Sequence, residues 1–463
     1  MPRVVFFTMH STTPWWTYLG SQLNFADAKV VSDLRGEGDW SLVDDFYRFY
    51  RKDDAAAAAV DRFGEDGCAD IIARCRVLRS LDRDRARRMV GAMTQAIEVA
   101  FDQLDPDLVI SFTIDRYVMD VMDRVARRRG ADFLEMTTSI IPNEVIFMRR
   151  GRLIPLWEPD EARIAAAASV LSSSTFAPSY VRDAKRFSAL KFWKVFGYFA
   201  LRGAYFNLLR IMRRDPENLH YLDALKRLKH KVRVGDVAVL DLFDADWQRK
   251  AAAVPKERKV FLGLQLFPEA SMDYWLSDLA MVQHDNAVLR YCEVLGAAGY
   301  RILIKDHPLQ FGFRQRELMQ GLAKMPSVIM VPYDVPATLL LAECGVSVTF
   351  TGTIGFQAAL AGNCSVVSDP YYATEQHYIH VRDFAEIDGV ADAVRNWQPP
   401  ADLERARLDI VRPLAQASVP GDYFTWRGFD RDNAAARAAA QPLVDSLNTY
   451  LPRFMRGRES AAR

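Results

Sequence analysis

Apolar runs of strand length alternate along this chain with stretches whose apolar residues recur at helical spacing, the pattern of an α/β protein. The first runs are Val4–Phe7, Ala28–Leu34, Leu108–Phe112 and Phe133–Met136. Between them the spacing predicts helices over Ala86–Leu104 and Tyr117–Arg129, and the consecutive alanines of Asp54–Val60 predict another. Asp105-Pro106-Asp107 ends the first of these, because a residue before Pro is pushed out of the α region. A second series comprises Lys259–Gln265, Tyr300–Lys305, Val328–Val331, Val346–Phe350 and Ser365–Ser368, with helices at Asp285–Ala298 and Arg314–Lys324. Strands separated by helices pair in parallel through right-handed crossovers. Each series therefore predicts a doubly wound, Rossmann-like domain, the two facing across a cleft. Ligands of such sheets bind at the carboxyl ends of the strands, so the loops there are where chemistry is expected.

The 463-residue length agrees with two domains, since cores usually split beyond roughly 250–300 residues. A net charge of +1 excludes a whole-protein footprint for nucleic acid. That sum hides an asymmetry. From Tyr180 to Arg233 there are 14 Lys/Arg against four Asp/Glu, in a stretch rich in Phe, Tyr and Trp. Its charge-free runs are too short to span a bilayer. A basic, aromatic helix suits an anionic membrane interface; the plainer alternative is a connector with a solvated basic face. The resulting organisation is 1–179, an N-terminal Rossmann-like domain; 180–235, the basic aromatic segment; 236–400, a C-terminal Rossmann-like domain; and 401–463, C-terminal helices and tail.

Five cysteines without a C-x-x-C pair, and an N-terminus whose apolar run is too short for a secretory signal, predict a reducing, cytoplasmic setting. No Asp-x-Asp stands at a strand end, so no metal is expected. His377 and His380 have metal-like spacing on an expected helix, without a third ligand.

The strongest chemical signal is the strand YRILIKDHPL, which ends in Lys305-Asp306-His307-Pro308 and aims a cation and an imidazole at the ligand side. Some forty residues later a strand runs into Thr351-Gly352-Thr353-Ile354-Gly355 and a small-residue helix. Small residues at a helix N-terminus present free N–H groups and the positive dipole end, a seat for phosphate. In the first domain three strand-end residues are candidates for a base or nucleophile: His10, Asp115 and Glu135. Plainer roles are a loop brace for His10, a helix cap for Asp115 and an Arg pairing for Glu135. Trp15 and Trp16 suit either a sugar-stacking surface or the core.

IKDHP, followed by PSVIMVPYDVPATLLLAECGVSVTFTGTIGFQAALAGNCSVV and preceded by LGLQLFPEASMDYW, resembles the C-terminal half of capsule-polysaccharide-type glycosyltransferases of the GT-B fold, over roughly Val260–Tyr372. The resemblance implies a glycosyltransferase building a capsule or lipopolysaccharide-type surface polysaccharide, peripheral at the inner membrane face. It implies a CMP-, UDP- or GDP-linked nucleotide-sugar co-substrate on the C-terminal domain, a glycan or lipid-linked acceptor on the N-terminal domain, and no resident cofactor. His307 and Lys305 would approach the donor phosphates, Thr351, Gly352, Thr353 and Gly355 would seat them, and Gln265 or Glu269 would meet nucleoside or sugar. Where the family often carries Glu-Ala after the glycine turn, this chain has Gln357-Ala358; an amide bonds a ribose hydroxyl but is no base. The rivals are a nucleotide-sugar epimerase of the related fold, whose paired acidic residues are missing at Phe356-Gln357, a glycerophosphotransferase, and a catalytically degenerate scaffold.

Overall fold

The computed structural model describes residues 1–9, 12–173, 176, 178, 188–226, 228 and 233–461. Its strands are β1 (Arg3–Thr8), β2 (Asp27–Ser32), β3 (Trp40–Ser41), β4 (Leu108–Phe112), β5 (Asp132–Thr138), β6 (Glu144–Arg149), β7 (Arg152–Leu153), β8 (Lys259–Gly263), β9 (Arg301–Lys305), β10 (Val328–Val331), β11 (Val346–Thr349), β12 (Cys364–Val367), β13 (Ile379–His380) and β14 (Ser418–Pro420). The chain is α/β and forms two compact units, each with a largely parallel, Rossmann-like sheet. The first comprises Met1–Asp160, Leu209–Leu222 and Pro413–Arg463; the second comprises Glu161–Leu208 and Asp223–Arg412.

In the first unit the sheet order is β14-β6-β5-β4-β1-β2-β3, with β7 beside β6. The contiguous run β5-β4-β1-β2-β3 is parallel; β6 and then β14 add antiparallel strands. Continuous apolar strands such as RVVFFT are covered on both faces, as parallel strands must be. Trp15 and Trp16 are fully buried against Phe6 and Phe112. They are core residues, not a sugar platform.

The helix Arg83–Leu104 begins at Asp82, whose carboxylate accepts the Asp84 and Arg85 N–H groups at 2.9 and 3.2 Å. It ends at Asp105 in the left-handed conformation, just before Pro106. Against it lies the helix Ala55–Arg74, and the crossing is closed by Gly91. A Cβ there would stand 1.8 Å from the Ala55 carbonyl oxygen, a backbone atom that cannot rotate away. Gly91→Ala is therefore expected to force the two helices apart and to cost about 1–3 kcal/mol, read as a lower urea midpoint at unchanged slope.

The second unit's sheet is wholly parallel, in the order β10-β9-β8-β11-β12-β13. Counted within the unit this is 3-2-1-4-5-6, the doubly wound order whose chain reverses direction between β8 and β11. Its core joins Val260 and Leu262 of β8, Ile302 and Ile304 of β9 and Val348 of β11 to the helix His284–Ala297.

The basic aromatic stretch contains a helix, Ala189–Met212. Residues 180–187, 227 and 229–232 of the expected segment lie outside the described residues. Phe192 packs on Phe311, and Phe199 on Phe313. The other face carries exposed Leu190, Trp193, Tyr198, Leu201, Tyr205 and Leu208. The solvent-facing side is thus apolar rather than a solvated basic face. No described helix is long and apolar enough to cross a membrane.

Candidate functional site

In the second unit the loops after β8 and β11 meet where the sheet order reverses, and Gln265 ties them together. Its Oε1 accepts the Thr351 N–H at 3.0 Å and the Thr349 hydroxyl at 2.9 Å. Thr349 Oγ1 in turn accepts the Gly352 N–H at 3.1 Å, and Tyr372 donates its hydroxyl to the Gly352 carbonyl at 2.5 Å. The turn packs so closely that a Cβ on Gly352 would lie 2.7 Å from Thr349 Oγ1. One on Gly355 would lie 2.6 Å from the Tyr372 hydroxyl. Thr353 then stands at the N-cap position of the seven-residue helix Ile354–Leu360 without a side-chain cap bond, and the first N–H groups of that helix have no partner within it. The Thr351 hydroxyl is buried without a hydrogen-bond partner. An anionic oxygen arriving at this turn would satisfy it.

Beneath the β9 loop is a buried polar lock. Arg314 donates to Asp306 through Nε at 3.1 Å and Nη2 at 2.7 Å, and also to the Gln265 carbonyl. Tyr333 donates its hydroxyl to the other Asp306 oxygen, and the His307 N–H reaches Asp306 at 2.8 Å. Gln310 adds a two-way bond to the Phe267 backbone, at 3.1 and 2.9 Å. Gln265 is therefore positioned from both sides, by the Arg314 lock and by the glycine turn.

His307 is partly exposed, and its Nδ1 accepts the Leu309 N–H at 3.2 Å. Burial, against the pull of Asp306, lowers its pKa to about 4. It is therefore a neutral imidazole at neutral pH, with its proton on Nε2. Lys305 is buried, with Nζ on the Tyr333 carbonyl at 2.8 Å; desolvation lowers its pKa to about 8. Glu269 precedes the single turn Ser271–Trp275 and accepts from the Ser271 hydroxyl at 3.3 Å. Gln357 donates to the Phe176 carbonyl at 3.3 Å. The structure thus unites Gln265 with Thr351 and Gly352, and Lys305 with His307, around the lock.

Sequence reading missed Arg314, Tyr333 and the anchoring side of Gln265. The signal was the Asp306 beside His307: an acid buried at a strand end needs a cation, and Arg314 is within one short loop of it.

In the first unit the corresponding reversal lies between β1 and β4. His10, after β1, lies outside the described residues. Asp115, after β4, does not cap the next helix. That helix starts from Arg116 without a side-chain cap, and Asp115 is held by the Arg76 guanidinium. The Asp115 side chain keeps 30% exposure. Glu135 does not end its strand: β5 runs on to Thr138, and Glu135 sits mid-sheet opposite Ser111 and Met148. Fully buried, it accepts backbone N–H groups rather than an Arg side chain, from Ile114 at 2.9 Å and from Arg150. Desolvation raises its pKa to about 8, so it is protonated at neutral pH. His377 and His380 are not on a helix. His380 is in β13 with its ring nitrogens at Thr374 O and Arg382, while His377 is in the turn before it.

Among solved structures the chain is similar to Thermosulfurimonas dismutans KpsC, beta Kdo 2,4 transferase, with 12% identity, 69% of this chain and 83% of that one covered, and a TM-score of 0.33. It is also similar to its beta Kdo 2,7 transferase, with 13% identity, 76% and 89% coverage and a TM-score of 0.31. The UDP-GlcNAc 2-epimerase of Methanocaldococcus jannaschii gives 12% identity, 89% and 99% coverage and a TM-score of 0.26. No curated protein sequence matches. The family model described as capsule polysaccharide biosynthesis protein matches residues 240–375, the stretch that holds Gln265, the Arg314 lock, His307 and the glycine turn. Over those residues, less than half of its length, this chain is similar to that family.

Proposed function

We propose that the protein is a GT-B-type glycosyltransferase that moves a sugar from a nucleotide-sugar donor to a growing capsule or lipopolysaccharide-type glycan. The observation that carries this reading is the Gln265-braced turn at the β8–β11 reversal, with its unpartnered Thr351 hydroxyl, inside the stretch similar to the capsule-biosynthesis family. Thr351, Gly352, Thr353 and Gly355 seat the donor phosphates. His307 offers its Nε2 proton to the departing phosphate, Lys305 supports it from behind, and Glu269 and Gln357 meet the nucleoside or sugar. The reaction needs charge stabilisation on the leaving group and a base for the acceptor hydroxyl. Asp115 is the base: it retains solvent access, whereas Glu135 is enclosed and protonated. The donor is CMP-, UDP- or GDP-linked, and neither a metal nor a resident cofactor is required.

The protein works in the cytoplasm, docked on an anionic membrane surface through the helix Ala189–Met212. Eight of the fifteen large exposed hydrophobic side chains among the described residues lie on that helix. The charged residues within it, Lys191, Lys194, Arg202 and Arg210, are all basic, which suits anionic lipid.

Incubation with a panel of nucleotide sugars, with and without lipid-linked glycan, tests the reading. Acceptor-dependent nucleotide release, unchanged by EDTA and lowered at least about a hundredfold by His307→Ala, is the expected result. Epimerisation of the donor without acceptor would transfer the protein to the epimerase class.

A further inference from the structure

The first unit contains a cavity of about 1220 Å³ that the donor site does not use. It opens beyond the carboxyl end of β2, between the segment Leu34–Glu37, the end of the helix Leu42–Tyr50 and the stretch Arg210–Tyr221. Ligands of a parallel sheet sit at this end.

Its charge is unbalanced. Each lining carboxylate is already engaged. Glu37 accepts the Thr13 hydroxyl at 2.7 Å, Asp215 accepts Tyr47 and Asn218 at 2.7 and 3.0 Å, and Glu217 is gripped by Arg85. Arg51, Arg210, Arg213 and Arg214 face the same cavity and take part in none of the described ion pairs. Arg210 Nε is buried without a hydrogen-bond partner. Arginines at a helix C-terminus complement its dipole: Arg210 stands in the last turn of Ala189–Met212, and Arg51 is the C-cap of Leu42–Tyr50, so two helix C-termini bring their cations to one cavity. Guanidinium forks bind carboxylate and phosphate oxygens two at a time. Tyr50 and Tyr221 line the same space. The volume exceeds that of a single drug-sized ligand and suits several sugar rings.

We propose that this arginine groove binds an acidic oligosaccharide, a glycan carrying carboxylate or phosphate groups, as the acceptor. The acceptor role rests on the glycosyltransferase reading above; the binding of an acidic glycan does not.

The test is calorimetric titration of the full chain with three probes: trigalacturonic acid, maltotriose 1-phosphate and neutral maltotriose. At least one acidic probe is expected to bind about tenfold or more tightly than maltotriose. That preference is expected to disappear in Arg51→Glu/Arg214→Glu, whose substituted side chains are exposed and whose thermal unfolding serves as the folding control. The arm that binds tells a sugar acid from a sugar phosphate. Equal affinity for all three probes, binding unchanged in the double variant, or displacement of the acidic probe by UDP, CMP or GDP would overturn the proposal. Nucleotide-sugar turnover measured on the same samples separates the two readings. Turnover without acidic-glycan binding removes the groove alone, and acidic-glycan binding without turnover removes the transferase alone.

Discussion

Arg314→Leu is expected to lower the unfolding free energy by about 3–5 kcal/mol, the usual cost of leaving a buried charge without its partner. The side chains of Arg314 and Asp306 are 3% and 0% exposed, so no solvent replaces the lost guanidinium. The Gln265 carbonyl loses its donor in the same step, and Gln265 is what braces Thr351 and Gly352. Nucleotide affinity should therefore fall together with stability. A domain stable by roughly 5–15 kcal/mol would survive the loss at 25 °C and fail on mild warming. Asp306→Asn in the Arg314→Leu background removes the orphaned charge and should recover part of the urea midpoint. Strictly additive losses would show that the two residues do not act as a pair.

Replacing Leu201 and Leu208 together by Glu is expected to reduce flotation with vesicles containing anionic lipid by well over tenfold. Burying each leucine in the interface contributes roughly 1.5–3 kcal/mol, and each new carboxylate meets a negative surface. Both residues are on the exposed face, opposite the rings that pack on Phe311 and Phe313, so the fold should be unaffected. Raised salt should weaken binding only in part, because the solvent-facing side is mostly apolar. Unchanged flotation would sink the docking reading. Concentration-dependent dimerisation that the same substitutions abolish would assign the face to a second copy.

These two sites show why some features were legible in the chain and others were not. Strands β8 to β12 announce themselves because burial on both faces makes them largely apolar runs, interrupted only by small hydroxyl residues or a terminal cation. The glycine turn is visible because only small residues tolerate its close approach to Thr349 and Tyr372. Arg314, in FGFRQRE, reads as a surface residue, since its partner Asp306 lies eight residues back in the same irregular loop, where neither helical nor strand spacing links them. Glu135 misled for a related reason. A carboxylate near the end of an apolar run looks like a strand terminus, yet two backbone N–H groups from separate loops allow it to stay inside the sheet. The helix Ala189–Met212 was legible as basic and aromatic, but its apolar solvent side appears only once its packed face is known.

Strand β14 gives the first unit an unusual history during synthesis. Ser418–Pro420 covers the free edge of β6, and a bond from the Trp157 indole to the Ser418 carbonyl secures it at 2.9 Å. Roughly 270 residues must be translated after β6 before this covering strand exists. At roughly 5–20 residues per second that is about 15–50 s. Throughout that interval the nascent sheet presents an open hydrogen-bonding edge, the template on which misassembly begins. The ribosome-bound chain, rather than the finished protein, is therefore where dependence on chaperones should be concentrated.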